Sequence, residues 1–149
     1  METDQTELTM AADVNNNLGF ERLGGGRVDI HERTFRFAAR ILKLVDALPR
    51  SAAGRAIAGQ LSRSGTSVGA NVEEAQGSHS RAEFVRRIGI ARSEARESLY
   101  WVRLIEAIEM LPKTRLALLK REAEEICRIL TAIVKTTRSK AKDTDKTKN

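Results

Sequence analysis

Arg33, Arg36, Arg40 and Lys43 recur at intervals of three, four and three residues, with no acid at the intervening register positions. On a helix this spacing gathers four cations on one face. Arg92, Arg96 and Arg103 share a face in a later segment, and Arg121, Arg128 and Lys135 repeat every seven residues. The arginine guanidinium is a planar fork that matches phosphate oxygens. Rows of fixed cations bind a sugar–phosphate backbone, and nothing beside them reads base edges. The bland alternative is a solvated face balanced by acids. Glu124 and Arg128, four apart, fit that alternative, so the last series is read as ordinary surface. The acid-free row Arg33–Lys43, with Arg92, Arg96 and Arg103, is the candidate nucleic-acid site.

Catalytic constellations are thin. A di-iron bundle needs Glu-x-x-His pairs. The two histidines, His31 and His79, have Val28 and Gln76 three residues before them, so both are read as surface. Cys127 has no histidine at catalytic spacing on its own helix and is read as a core residue. Gly24-Gly25-Gly26 lacks a following Gly-Lys-Ser/Thr and reads as a linker rather than a phosphate loop. Asn71 and Glu74 share a helix face beside Glu73. They can fix helix register with an arginine from the next helix, or they can grip a ligand. The structural role is the expectation, because buried polar groups need partners in any fold. No catalytic residue, metal or cofactor is expected, and the chain is not read as an enzyme.

The elements that position these residues follow from composition and period. The 149 residues suit one domain. Two prolines and 4% aromatic residues point to an all-α chain. Charge is unevenly spread. Residues 1–30 carry net −4, residues 31–138 net +8, and residues 139–149 net +2. A lone cysteine excludes an internal disulfide. The acidic start has neither a basic region nor an apolar run, and no window approaches the roughly 18 apolar residues of a membrane span. A cytoplasmic protein with no membrane partner is expected.

Residues 1–28 lack hydrophobic period and are expected to form a disordered acidic, Gly-rich arm. A four-helix bundle is expected over 29–138, and a disordered Lys-rich tail over 139–149. The first helix, from about His31 to Leu48, carries two adjacent apolar stripes. Phe35, Ala38, Leu42 and Val45 make one; Phe37, Ile41, Leu44 and Leu48 make the other. Such a wide face predicts packing beyond the bundle itself. The second helix runs from about Ser51 to Gln76 on Ile57, Leu61, Ser64, Val68, Val72 and Ala75. Gly65 and Gly69 lie on a small-residue stripe that predicts close approach by another helix; a break there is the alternative. Ser80-Arg81-Ala82-Glu83 fits a capping box that opens a third helix, to about Met110. Its core stripe is Phe84, Ile88, Ala91, Ala95, Leu99, Val102 and Ile105, with Ile90, Trp101, Leu104 and Ile108 on a second. Pro112 opens a fourth helix whose Leu116, Leu119, Ala123, Ile126, Leu130 and Ile133 alternate three and four apart. Long helices with short connections predict an antiparallel up-and-down bundle. The spare stripes predict self-association through Phe37, Ile41, Leu44, Ile90, Trp101, Leu104 and Ile108.

Ser67, Val68, Asn71, Val72, Glu74, Ser80, Glu83, Phe84, Ile90, Ala91 and Glu97 carry a family resemblance. The chain resembles the bacterial four-helix bundle proteins found in intervening sequences of 23S ribosomal RNA genes. Those are related to the accessory variability proteins of diversity-generating retroelements. The pattern is roughly S-[IV]-x-x-N-[IV]-x-E-G-x-x-R-x-S-x-x-E-F followed by I-A-x-x-S-x-x-E. Asn71, Glu74, Ser80, Glu83 and Phe84 are its structural core here. Ala75 replaces a usual glycine, Ser78 a usual basic residue, Glu73 a small apolar one, and Gly69 a common proline. The resemblance covers about residues 31–135. It implies a bundle that assembles as a ring, a homopentamer, and binds RNA or DNA through a basic surface. In the retroelement relatives it implies a reverse transcriptase and its template RNA as partners. The expected function is a non-enzymatic nucleic-acid-binding oligomer. The alternative is a protein–protein scaffold whose partner docks on the apolar stripes.

Overall fold

The computed structural model describes residues 29–146, with side chains to residue 140. The expected arm over 1–28 and the final residues 147–149 lie outside that range. Four helices follow in order: α1 (Ile30–Asp46), α2 (Ala52–Gln76), α3 (Arg81–Ala107) and α4 (Lys113–Lys146). No strand is present among the described residues. Each helix packs on the next, and α4 closes back on α1 along a thinner seam. Cross-links fix the antiparallel sense: Gly65 faces Ile41 while Gly69 faces Thr34, and Arg63 pairs with Glu94 and Glu97 while Glu74 meets Arg87.

Local chemistry sets the helix starts. The Asp29 carboxylate accepts from the N–H groups of His31 (3.0 Å) and Glu32 (3.3 Å), so the first helix starts one residue earlier than its apolar period shows. Ser51 Oγ accepts from Gly54 N–H at 3.0 Å, and Ser80 Oγ from Glu83 N–H at 3.1 Å. The α3–α4 turn is a Schellman motif: Glu109 N–H reaches the Glu106 carbonyl and Met110 N–H reaches the Ile105 carbonyl. The residue at its left-handed position, where glycine is usual, is Glu109, with φ 55°.

The core of α2 and α4 is the one the period predicts. Every expected position from Ile57 to Ala75 and from Leu116 to Ile133 is buried. On α3, Ser98 is buried in place of half-buried Leu99. Ser98 Oγ donates to Ser64 Oγ at 2.9 Å, a polar clasp inside the α2–α3 seam. The α1 result corrects the sequence reading. Phe37, Ile41 and Leu44, expected to glue copies together, lie in the core at 0%, 0% and 6% exposure. The other stripe faces out, with Phe35 70% and Leu42 45% exposed. The reason is the space that α2 leaves, Gly65 facing Ile41 and Gly69 facing Thr34. Ile30, Thr34, Phe37, Ile41, Leu44 and Leu48 make an unbroken inward line, and Thr34, whose hydroxyl donates to the Ile30 carbonyl at 2.8 Å, hid it from an apolar count. Gly65 and Gly69 sit inside an unbroken α2 against this line, so the break considered above is not there.

The fourth helix also departs from expectation. It does not fade near Arg138 but continues to Lys146. No helix among the described residues is long and apolar enough to cross a membrane.

Candidate nucleic-acid interface

The cation row of α1 is not acid-free in space. Arg33 turns toward α4 and forms a bidentate pair with Glu122, Nε to Oε1 at 2.6 Å and Nη2 to Oε2 at 3.0 Å. Both side chains are about three-quarters buried, and the Glu122 carboxylate raises the Arg33 pKa. Arg33 is thus a tie between helices more than a free phosphate ligand. Arg36 Nε donates to Glu32 Oε1 at 2.5 Å on the exposed surface. Arg40 and Lys43 are exposed and form no ion pair among the described residues. Of the two acids that neutralise half the row, Glu32 stands four residues before Arg36 on the same helix, an i,i+4 pair, and only Glu122, on α4, lies outside what the three–four–three spacing can show.

The arginines of α3 fall on the α4 side of that helix. Arg92 and Arg96 lie close enough to Cys127 for their charges to act on its thiol. Burial nevertheless dominates and raises the thiol pKa, so Cys127 is protonated and inert at neutral pH. Arg103 stands at the α3–α4 turn near Glu106, whose carboxyl is held low chiefly by the Lys120 ammonium at 2.8 Å.

Cations from both flanks therefore converge on α4. Arg33 and Arg40 share a surface cleft with Arg121 and Arg128, interleaved with Glu122, Glu124 and Glu125. Arg128 pairs with Glu125, three residues before it, and not with Glu124 as the spacing proposed. Arg40, Lys43, Arg92, Arg96 and Arg103 form no ion pair among the described residues. Four cations and three acids thus share the α1–α4 cleft, on a helix whose cation series reads by its spacing as ordinary surface.

The polar motif does not converge. Asn71 Nδ2 donates to the Ser67 carbonyl at 2.9 Å, along its own helix. Glu74, two-thirds exposed, stands 3.8 Å from Arg87 Nη2. Glu73 reaches back to α1, 3.3 Å from His31 Nδ1. The predicted arginine from the next helix exists, but the contact is loose and exposed, not a buried network. Ser80 caps α3, and Phe84, 1% exposed, anchors its first turn in the core. Among the described residues no three of His, Cys, Asp and Glu gather as a metal site.

Of the expected interface on α3, Ile90, Trp101 and Leu104 are half-buried; Trp101 and Leu104 pack on the core, and Trp101 Nε1 donates to Glu97 at 3.3 Å. Ile108 is 48% exposed, and Tyr100 sets its ring edge-on to Trp101 at 4.9 Å.

Residues 27–132 match the family model described as 23S rRNA-intervening sequence protein. The chain belongs to this family. Within the same fold, a crystal structure of a protein of unknown function from the S23 ribosomal protein family of Bacteroides thetaiotaomicron shares 33% identity. It aligns over 71% of this chain and 98% of its own, with a TM-score of 0.68. Comparison with curated protein sequences finds no match. The family segment ends at residue 132, so the last turns of α4 lie beyond it.

Proposed function

We propose that this family member is a non-enzymatic, oligomeric protein that binds the phosphate backbone of RNA or DNA. The observation that carries the reading is the convergence of cations from α1 and α3 on α4, in a segment of net charge +8. A field of that sign steers polyanions, and arginine prefers their phosphates. Oligomerisation, a homopentamer by the resemblance, would multiply the field. The resemblance to retroelement accessory proteins makes a reverse transcriptase with its template RNA the protein partner to test.

The test is a salt titration of binding to labelled RNA and DNA. Affinity is expected to fall on a log–log plot by about 0.7–0.9 per phosphate contacted. Charge reversal at Arg40 and Lys43 is expected to weaken binding without unfolding the chain, since neither side chain holds another. No binding at about 50 mM salt sinks the proposal. A second reading, a protein scaffold, is favoured by Phe35 and Leu42, which expose apolar surface on one side of α1. It predicts partner binding that tolerates salt and is lost in Phe35→Glu.

A further inference from the structure

The apolar pattern of α4 ends at Ile133 and Val134, with Thr137 the last buried side chain among the described residues. The helix nevertheless runs nine residues further, to Lys146, through RSKAKDTDK, where Ala141 is the lone apolar residue. Nothing in that composition gives a bundle a face to bury. What the segment does carry is register. Lys135, Arg138, Lys142 and Lys146 are spaced three, four and four apart, so their positions fall on one side of the helix. Position 142 also continues the seven-residue series of Arg121, Arg128 and Lys135. The cationic register of α4 therefore continues past the end of the core.

Arg138, Lys142 and Lys146 stand four apart, where like charges repel, and Asp143 and Asp145, three from Lys146 and Lys142, offset part of that repulsion. The helix dipole welcomes cations only within the last turn, which accounts for Lys146 and not for Lys135 or Arg138. A polyanion laid along the ridge removes the repulsion. The residues also say which polyanion. Single strands are held by stacking bases on aromatic rings. From Lys113 to Asn149 the chain has no Phe, Tyr or Trp. A helical row of cationic positions without a stacking platform matches the regular phosphate row of a duplex.

We propose that the C-terminal ridge Lys135–Arg138–Lys142–Lys146 is a docking rail for the backbone of double-helical nucleic acid. This rests on the nucleic-acid reading above and specifies its contact surface and the form of its ligand. The rail reads no sequence; it grips one strand of phosphates and tightens its own last turns in doing so.

The experiment uses the full chain and fluorescent 20-mers of duplex RNA, duplex DNA and single-stranded RNA, titrated from about 50 to 200 mM salt. The quadruple variant K135Q/R138Q/K142Q/K146Q is compared with a charge-matched control, R50Q/R81Q/R86Q/R115Q, at exposed positions elsewhere. The rail variant is expected to lose at least about tenfold in duplex affinity at 100 mM salt, with a log–log slope shallower by about three. The control is expected to lose markedly less. Duplex binding to the parent should raise the helical circular dichroism signal, and the variant should lose that gain. Equal losses in the two variants overturn the rail and leave the nucleic-acid reading standing. Preference for the single strand overturns the duplex assignment. No binding by the parent at the lowest salt overturns both. A weaker loss for RNA than for DNA, or the reverse, identifies which duplex the rail serves.

Discussion

Replacing Gly65 by alanine tests the packing that holds α1, and with it Arg40 and Lys43, in place. A Cβ at Gly65 would stand 2.6 Å from Ile41 Cγ2 and 2.9 Å from Cγ1. Ile41 is fully buried and branched at Cβ, so it has essentially one rotamer in a helix and no room to turn. Overpacking of this kind costs about 1–3 kcal/mol. Removing a mid-helix glycine returns about 1 kcal/mol. With three atoms of Ile41 at or inside 3.0 Å, the cost lies near its upper end, and the net loss is about 1–2 kcal/mol. For a chain of this length that lowers the melting temperature by about 3–6 °C. Gly89→Ala supplies the contrast: its added methyl meets nothing within 4 Å, so the helix gain of about 1 kcal/mol remains and the melting temperature rises. Thermal melts followed by circular dichroism at pH 7 measure both. In an Ile41→Ala background the clash is gone and Gly65→Ala should stabilise by about 1 kcal/mol, a coupling of about 2–3 kcal/mol in the double-mutant cycle. A Gly65→Ala protein that melts at or above the parent, with no coupling to Ile41, would refute this account of the α1–α2 contact.

Glu109→Gly should raise stability by about 0.5–1 kcal/mol, read from the urea midpoint, because it relieves a left-handed residue (φ 55°) at the end of α3. Arg33→Ala should lower stability by about 1–2 kcal/mol, since it strands the largely buried Glu122 carboxylate; Arg40→Ala should cost less than about 0.5 kcal/mol. The carboxyl of Glu106 is held below its ordinary range by Lys120, so its folded pKa lies under its unfolded value of about 4.3. Its contribution is full above that unfolded value and is lost as pH falls through the folded one. The difference in melting temperature between the parent and Glu106→Gln should therefore shrink between about pH 5 and pH 3. Burial raises the Cys127 pKa, so its reaction with a disulfide reagent should be slower than that of free cysteine at pH 8 and should accelerate on denaturation.

Several features were legible in the chain because they depend on near neighbours. The periods of α2 and α4, the cap at Ser80 and the short connections need only three- or four-residue spacings, and those determine a helical bundle. The family motif gave the fold, and the family model matches it over residues 27–132. The sequence could not decide which of two apolar stripes on α1 turns inward. That choice belongs to α2, whose Gly65 and Gly69 leave space for Ile41 and Thr34 and so rotate Phe35 and Leu42 outward. Nor could it decide which cations stay free. Arg33 and Glu122 are 89 positions apart, and only the closure of α4 on α1 makes them a pair. Charge along a chain is additive, but its neutralisation is a matter of distance through space. The sequence therefore determined how much positive charge this protein carries, and the tertiary structure determined which cations pair with acids and that Arg33 and Arg40 meet Arg121 and Arg128 at one cleft.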